Sequence, residues 1–393
     1  MRYAQRVAGL GGPAADTWAI HTEAVRRRRR GEDVILLSVG DPDFPSPAPI
    51  VEAAKASLDK GRTHYADIVG QQPLREAVAA QHERLSGQRV TADQVVVLAG
   101  AQCALFAAMQ CLVEPGDEVI VLEPAYVTYP ATVAASGGVL VPVPLRPRNH
   151  FHLDPADLEA ALTLRTRAIL WNSPNNPTGA VATRAEVEAV AKVARERDLW
   201  VVSDEVYATL VYEGEQLSPA SLPGMAERTV TVSSLSKSHA MTGWRLGWLV
   251  GPPELALHAG NLALCMLYGS PAFVQDAATV ALTRDLAEVR DMAARYRRRR
   301  DAVTSRLSGL PRVSCHTPAG GMFVMLDVRP TGLSAEAFAY GLLDAEGVSV
   351  LPGDAFGSPA AGHVRVSLTL PEARIADACE RIGRYVRGLA GEA

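Results

Sequence analysis

The sequence predicts an α/β protein: a large unit built on a mostly parallel sheet flanked by helices, with a smaller α+β unit formed by the N-terminal arm and the C-terminal part. Three observations carry this. Apolar, β-branched runs alternate with helix-like stretches through the middle of the chain, the pattern of strands joined by helical crossovers. After Pro271 that alternation gives way to a long arginine-rich helix and a few short strands. The length of 393 residues suits two to three units at about 150 residues each, and a chain of this size buries a large core.

Taken in order, the arm MRYAQRVAGLGGPAADTWAI has no continuous apolar segment and no convincing cleavage site. No signal peptide is therefore expected, and a cytoplasmic protein is. Gly9–Ala14 fits GxGxxA on paper, but it follows no strand and opens no helix, so a dinucleotide fingerprint is rejected. Strands are expected at Val34–Val39, Val95–Leu98, Glu118–Leu122, Leu140–Val143, Ala168–Trp171, Leu199–Ser203, Thr229–Val232 and Leu246–Val250. Helices between them include Gln102–Val113, Pro155–Leu162 and Arg184–Arg197. The stretches Val95–Val113 and Leu255–Gln275 lack Asp, Glu, Lys and Arg. They are long enough to span a bilayer, but their Gln, His, Asn and Pro residues make buried elements of a soluble core the better reading. The C-terminal part reads as a helix over Leu286–Leu307, then strands at Gly320–Leu326, Val348–Val350 and His363–Leu368.

Composition removes several classes. With 48% hydrophobic and 21% charged residues and a mean hydropathy of +0.05, the chain is not disordered, and its 32 glycines follow no collagen period. Lys+Arg is 39 against Asp+Glu 43, so the basic excess of a nucleic-acid binder is missing. Arg26–Arg30 and Arg297–Arg300 are read as solvated helix faces. The five cysteines, Cys103, Cys111, Cys265, Cys315 and Cys379, are widely spaced and odd in number. They read as reduced, buried thiols. His150-Phe151-His152 lacks an evident third ligand, so no metal is expected.

Lysine is scarce: four residues (Lys55, Lys60, Lys192, Lys237) against 35 arginines. Three lie in ordinary helical stretches. Lys237 instead follows a strand, in Ser233-Ser234-Leu235-Ser236-Lys237-Ser238-His239-Ala240-Met241-Thr242-Gly243-Trp244-Arg245. An amine in such half-apolar surroundings can titrate low enough to form a Schiff base, although a plain surface lysine fits the spacing as well. Three segments shift that balance. Trp171-Asn172-Ser173-Pro174-Asn175-Asn176-Pro177-Thr178-Gly179 leaves a strand with amides that could serve a cofactor oxygen or merely build a turn. Val201-Val202-Ser203-Asp204-Glu205-Val206-Tyr207 leaves a strand with a carboxylate that could hold a proton on a pyridine nitrogen or cap a helix. Leu98-Ala99-Gly100-Ala101-Gln102-Cys103 joins a strand to a helix whose free N–H groups would suit a phosphate.

Together, SxxK followed by Arg eight residues on, NPTG after one strand and SDEVY after the next resemble the pyridoxal phosphate (PLP) aminotransferases of the aspartate aminotransferase fold, fold type I. The resemblance covers essentially the whole chain. It implies a central, mostly parallel seven-stranded sheet. It also implies a division into 1–45 (arm and part of the small domain), 46–285 (large PLP-binding domain) and 286–393 (C-terminal small domain). Lys237 would carry the cofactor and move the Cα proton. Asp204 would pair with the pyridine nitrogen, and Tyr207 and Asn176 would bond the phenolic oxygen. Tyr126 would stack on the ring. The turn at Gly100, the N–H groups of Ala101 and Gln102, Ser234 and Arg245 would hold the phosphate. Tyr65 would reach it from the second subunit of a homodimer. Arg365 would clamp the substrate carboxylate, with Gly40 beside it and Asn176 nearby.

Thr63–Asp67, Val95–Leu105, Ser236–Trp244, Asn261–Pro271, Gly320–Met325 and Arg329–Ala335 are further similar to arginine–pyruvate aminotransferases and to aminotransferases of antibiotic pathways that make enduracididine-like guanidino amino acids. The substrates implied are arginine or a guanidino analogue and a 2-oxo acid such as pyruvate. Asp16 and Trp18 on the arm are the candidates for the guanidinium, with Tyr268 and His239 as further wall residues. Other PLP reactions would leave ammonia or peroxide as product. A PLP-sensing regulator would need a helix-turn-helix module ahead of Val34 and a basic surface, and neither is expected here.

Overall fold

The computed structural model describes residues 3, 7, 10 and 18–391. The chain enters through α1 (Ala19–Arg29), β1 (Ile35–Leu36), α2 (Ala48–Asp59) and α3 (Gln72–Ser86). The central part runs β2 (Val95–Leu98), α4 (Ala101–Leu112), β3 (Glu118–Glu123), α5 (Tyr129–Ala135), β4 (Val139–Pro144), α6 (Pro155–Ala160), β5 (Thr166–Asn172), α7 (Arg184–Glu196), β6 (Trp200–Asp204), β7 (Thr229–Ser234) and β8 (Gly247–Val250). Helices α8 (Pro253–Met266), α9 (Ala272–Thr283) and α10 (Ala287–Leu307) follow. The chain ends with β9 (Ser314–Cys315), β10 (Phe323–Asp327), α11 (Ala335–Glu346), β11 (Val348–Ser349), β12 (Leu351–Pro352), β13 (His363–Ser367) and α12 (Glu372–Gly391).

Seven strands form the main sheet in the order β2-β8-β7-β6-β5-β3-β4. Only β8 runs antiparallel, between β2 and β7. Helices cover both faces, so strands such as Val95–Leu98 are buried at every position; that is why they read as continuous apolar runs without alternation. From β3 the chain passes to β4 on one side and to β5 on the other. That reversal opens a crevice beyond the carboxyl ends of the strands, where ligands of such sheets bind.

The C-terminal strands form a four-stranded antiparallel sheet, β12-β13-β10-β9. The expected strand Val34–Val39 contributes only Ile35–Leu36, which pairs in parallel with β11 and not with the main sheet. Helix α1 packs on α11 and β11, so the start of the chain sits on its end. A single apolar cluster runs from Ile169 and Val201 of the main sheet to Phe338 and Val364.

Three expectations are corrected. Arg299 and Arg300 are buried, because acceptors from other segments reach each of them, Asp43 the one and Glu213 the other. Of the cysteines, Cys379 is buried, Cys103, Cys111 and Cys315 are half-buried, and Cys265 is exposed because α8 turns that face outward. Leu255–Gln275 is likewise not wholly buried: Leu257, Leu264 and Tyr268 are exposed. Among the described residues no helix is long and apolar enough to cross a membrane, and no group of three or more His, Cys, Asp or Glu side chains is arranged to hold a metal. His150 instead lies against His316, Nδ1 to Nδ1 at 2.9 Å.

Gly247 sets the distance between β8 and the start of α4. A Cβ there would lie 2.6 Å from the Ala101 nitrogen, 2.6 Å from the Gly100 carbonyl carbon and 2.8 Å from the Ser233 oxygen. All three are backbone atoms that cannot step aside. Gly247→Ala is expected to cost about 1–3 kcal/mol by overpacking and to weaken cofactor binding by moving α4; equilibrium denaturation and cofactor titration of the variant check both.

Candidate active site

A cavity of about 460 Å³ opens where the carboxyl ends of β3, β5, β6 and β7 face the C-terminal sheet. Its charged lining, among the described residues, consists of Lys237, Arg245, Arg365, Asp204 and Asp41. No two of these five form an ion pair with each other. The cations rest on backbone carbonyls and one side-chain amide, which leaves their charges available to a ligand.

Asp204 ends β6 and is 4% exposed. Its Oδ2 accepts from the Tyr129 hydroxyl (2.7 Å) and its Oδ1 from the Val206 N–H (3.2 Å). The second bond is of the capping type, but no helix follows. Burial outweighs both bonds and pushes this carboxyl up to about 6. A carboxylate so placed, with no cation beside it, is suited to a ligand that brings its own positive charge. Glu205, one residue on, accepts from the Ser203 and Ser218 hydroxyls (2.8 and 2.6 Å) outside the cavity lining. Strand alternation thus separates the two acids.

The opposite end of the cavity suits an anion. Gly100 caps α4 with φ +92°. A side chain there would collide with the Arg245 guanidinium, 2.5 Å from the position of a Cβ. The free N–H groups of the first helical turn, the Ser234 hydroxyl and Arg245 converge on this end. Arg245 is exposed to the cavity, and its bonds go to the Thr242 and Ala99 carbonyls (2.8 and 3.1 Å). Gln102 spans Thr128 and Thr132 through its side chain (2.6 and 2.8 Å), which fixes the start of α4 against α5.

Lys237 donates to the Gly40 carbonyl (2.6 Å). Burial lowers its amine to about 8, opposed by the Asp41 charge and assisted by Arg365 and Arg245. Arg365 is 2% exposed, donates to Asn176 Oδ1 (3.0 Å) and to the Ser38 carbonyl (2.9 Å), and lies over the Phe323 ring at 4.1 Å. Its Nε has no partner among the described residues. Burial lowers its pKa to about 10, so it stays charged at neutral pH and can grip a carboxylate with its planar fork. Burial raises the Tyr207 phenol, keeping it a neutral donor.

Lys237, Asp204, Tyr207, Ala101, Gln102, Tyr126, Asn176, Ser234, Arg245, Arg365, Gly40 and Trp18 all line this one cavity. Gly100 acts behind it through its backbone. Tyr65 does not reach the cavity of its own chain; it is 86% exposed and packs on Tyr268 with ring centroids 4.9 Å apart. Tyr268 likewise does not line the cavity of its own chain. Nor does His239, which is buried against Ser238 and the Ala281 carbonyl. Asp16 lies outside the described residues, as does Gly9–Ala14 apart from Leu10. Sequence reasoning missed Tyr129, the partner of Asp204. The signal was its place three residues after Tyr126, where a helix starts. It also missed Asn172, whose Oδ1 accepts from the Asn176 N–H (2.8 Å), and Asp41. Asn175 resolves the amide-rich turn: it accepts from the Thr178 N–H and hydroxyl and builds the loop, leaving Asn176 for the cavity.

A family model described as aminotransferase class I and II matches residues 32–382. This chain belongs to that family. The aminotransferase is 56% identical over 393 residues to arginine–pyruvate transaminase AruH of Pseudomonas aeruginosa, covering 100% of both chains. It is 40% identical over 373 residues to an aspartate/prephenate aminotransferase of Thermus thermophilus, covering 94% of this chain and 95% of that one. The solved structure of a Thermus thermophilus aspartate aminotransferase with maleate superposes with a TM-score of 0.93 at 39% identity, covering 98% of this chain and 100% of the other. The fold is fold type I, and the enzyme is a PLP-dependent aminotransferase. The residues present fit that cofactor: an unpaired buried carboxylate for its ring nitrogen, an amine of lowered pKa for its aldehyde, and a guanidinium at a helix N-terminus for its phosphate.

The Lys237 amine must be neutral to capture the aldehyde. Its lowered pKa means that capture of PLP by the apoprotein should rise about tenfold from pH 7 to 9 and level off near pH 9. Stopped-flow absorbance would show this. An ordinary lysine would give a rate still climbing at pH 10.

Proposed function

We propose that this aminotransferase moves the α-amino group of arginine, or of a close guanidino analogue, to a 2-oxo acid such as pyruvate in two half-reactions. The charge inventory of the cavity carries this reading. Lys237, Arg245 and Arg365 are its cations, and each is needed at the cofactor or the α-carboxylate. Among the described residues that line the cavity, no further cation is left for the distal carboxylate of an acidic substrate, and Gln102 is held between two threonines. Asp41 lines the cavity, is exposed and has no ion-pair partner among the described residues, and Trp18 adds an aromatic face. A carboxylate and an aromatic face are what a guanidinium requires. The likeness to the Pseudomonas aeruginosa arginine–pyruvate transaminase points the same way.

When bound, the cofactor supplies a protonated ring that delocalises the negative charge left as Cα loses its proton. The chain does the rest. Asp204 keeps the ring nitrogen protonated, with Tyr129 holding the carboxylate in place. Tyr207 and Asn176 bond the phenolic oxygen, and Tyr126 covers the ring. Ser234, Arg245 and the N–H groups of Ala101 and Gln102 hold the phosphate. Arg365 would orient the substrate carboxylate so that Cα–H faces Lys237, and the Lys237 amine would take the proton from Cα and deliver it to C4′. Asp16 and Trp18 are proposed to close over the side chain from the arm.

Two chains are proposed to share their sites. Tyr65, Tyr268, Leu257 and Leu264 leave exposed apolar area on one chain, and exposed apolar groups of this kind mark an association surface. From there Tyr65 would serve the phosphate of the other chain. We take 1–45 with 286–393 as the small domain and 46–285 as the large one. Sedimentation at micromolar concentration should give twice the chain mass; a fully active monomer would refute the shared site.

The direct test is a half-reaction under air without keto acid. L-arginine is expected to convert the PLP form to the pyridoxamine form with one equivalent of 5-guanidino-2-oxopentanoate, reversed by pyruvate, and L-aspartate to react at least about 100-fold less efficiently. A hydroxylated or cyclic guanidino product would assign the antibiotic-pathway role. Continuous peroxide or ammonia would contradict transamination.

A further inference from the structure

Of the four arginines Arg297–Arg300 on α10, two are buried: Arg299 is 1% exposed and Arg300 2%. Arg300 bonds the Pro318 carbonyl (2.9 Å), Glu213 (2.9 Å) and Asp301 (2.6 Å), none of which lines the cavity. Arg299 points elsewhere. Its two terminal nitrogens grip the Asp43 carboxylate at 2.6 and 2.9 Å, and one of them also donates to the Leu368 carbonyl at 3.0 Å. The guanidinium lies over Phe44 at 4.7 Å and Tyr296 at 5.4 Å. Its Nε is unpartnered among the described residues, and Glu372 stands off at 3.8 Å.

Two backbone segments meet at this one group. Asp43 lies three residues after Gly40, whose carbonyl holds Lys237. Leu368 lies three residues after Arg365. Between them the Ser367 N–H donates to the Leu37 carbonyl (2.9 Å) and the Thr369 hydroxyl to the Val39 carbonyl (3.0 Å). We propose that Arg299 is a positioning residue for the carboxylate end of the substrate. It ties the 40–44 loop to the end of β13 and so sets the place of Arg365 relative to Gly40 and Lys237. The bidentate fork matters, since a lysine would supply the charge without fixing the angle. The proposal rests on Arg365 as the carboxylate clamp.

The test compares the holoenzymes of R299M, R299K and D43N with R300M and R365K. The steady-state KM is measured for two amino donors, arginine and alanine, beside the PLP affinity of each apoprotein and its melting temperature. A small displacement of a binding group from a distance costs about 10- to 100-fold. R299K and D43N are expected to raise KM by that factor, equally for both donors, with PLP affinity unchanged. R300M is expected to lower the melting temperature without raising KM. If R299M does not fold, R299K and D43N, which retain most of the buried volume, decide the matter. A raised KM in R365K with a normal KM in R299K and D43N would overturn the Arg299 proposal alone. A normal KM in R365K would overturn the clamp and the proposal with it. A rise confined to arginine would place the effect at the side-chain pocket and overturn the proposal too.

Discussion

Asp204 is a carboxylate buried at the end of a central strand with one phenol and one backbone N–H to hold it. Removing a charge from water at such a position costs several kcal/mol unless a counter-charge arrives. None of the cations of the cavity pairs with it. Lys237 is drawn to the Gly40 carbonyl, Arg365 to Asn176 and the Ser38 carbonyl, and Arg245 to two further carbonyls. The site therefore carries opposite charges that do not neutralise one another, an imbalance that the cofactor would resolve. In the proposed reading its phosphate would answer Arg245 and the α4 terminus, and its protonated ring would answer Asp204.

Holding these charges apart is the work of the fold. The sheet order places β6 in its middle and gathers the carboxyl ends of four parallel strands around one crevice. Gly247 and Gly100 remove the side chains that would separate α4 from β8 and from Arg245. The C-terminal sheet brings Arg365 from the far side, and the Arg299–Asp43 pair ties that sheet to the loop in front of Lys237. A buried ion pair of this kind is weak evidence for stability, but it fixes a geometry, and geometry is what the α-carboxylate requires.

Much of this was legible in the residues. Strands such as β2 and β3 were readable because burial on both faces makes them continuous apolar runs, whereas β4, an edge strand with only Val143 buried, was readable from its β-branched residues. Lys237, Asn176 and Asp204 stood out because each is a polar residue placed just where a strand ends. What stayed hidden depends on contacts distant in sequence. Tyr129 looks like any helix-start aromatic until its hydroxyl is seen on Asp204, 75 residues away. Arg299 reads as one more surface arginine because a run of like charges does not reveal which members face Asp43, 256 residues away. Val34–Val39 has strand composition, yet only two of its residues find a partner strand. Tyr65 is exposed and lies outside the cavity of its own chain.

Asp204 is held against its own preference until a cation binds. Its folded pKa of about 6 lies above the ordinary 3.8. The folded apoprotein thus binds more protons than the unfolded chain between about pH 4 and 6. The associated stability is full below about pH 4, is lost as pH rises through 6, and stays lost above. Asp204→Asn removes this term while leaving the neighbouring Glu205, also raised to about 7, in place. Denaturant unfolding of the two apoproteins across pH 4–8 should therefore show the variant gaining on the wild type, up to about 3 kcal/mol at pH 8. A variant that loses stability at pH 8 would contradict this, because Tyr129 and the Val206 N–H would then already satisfy the carboxylate.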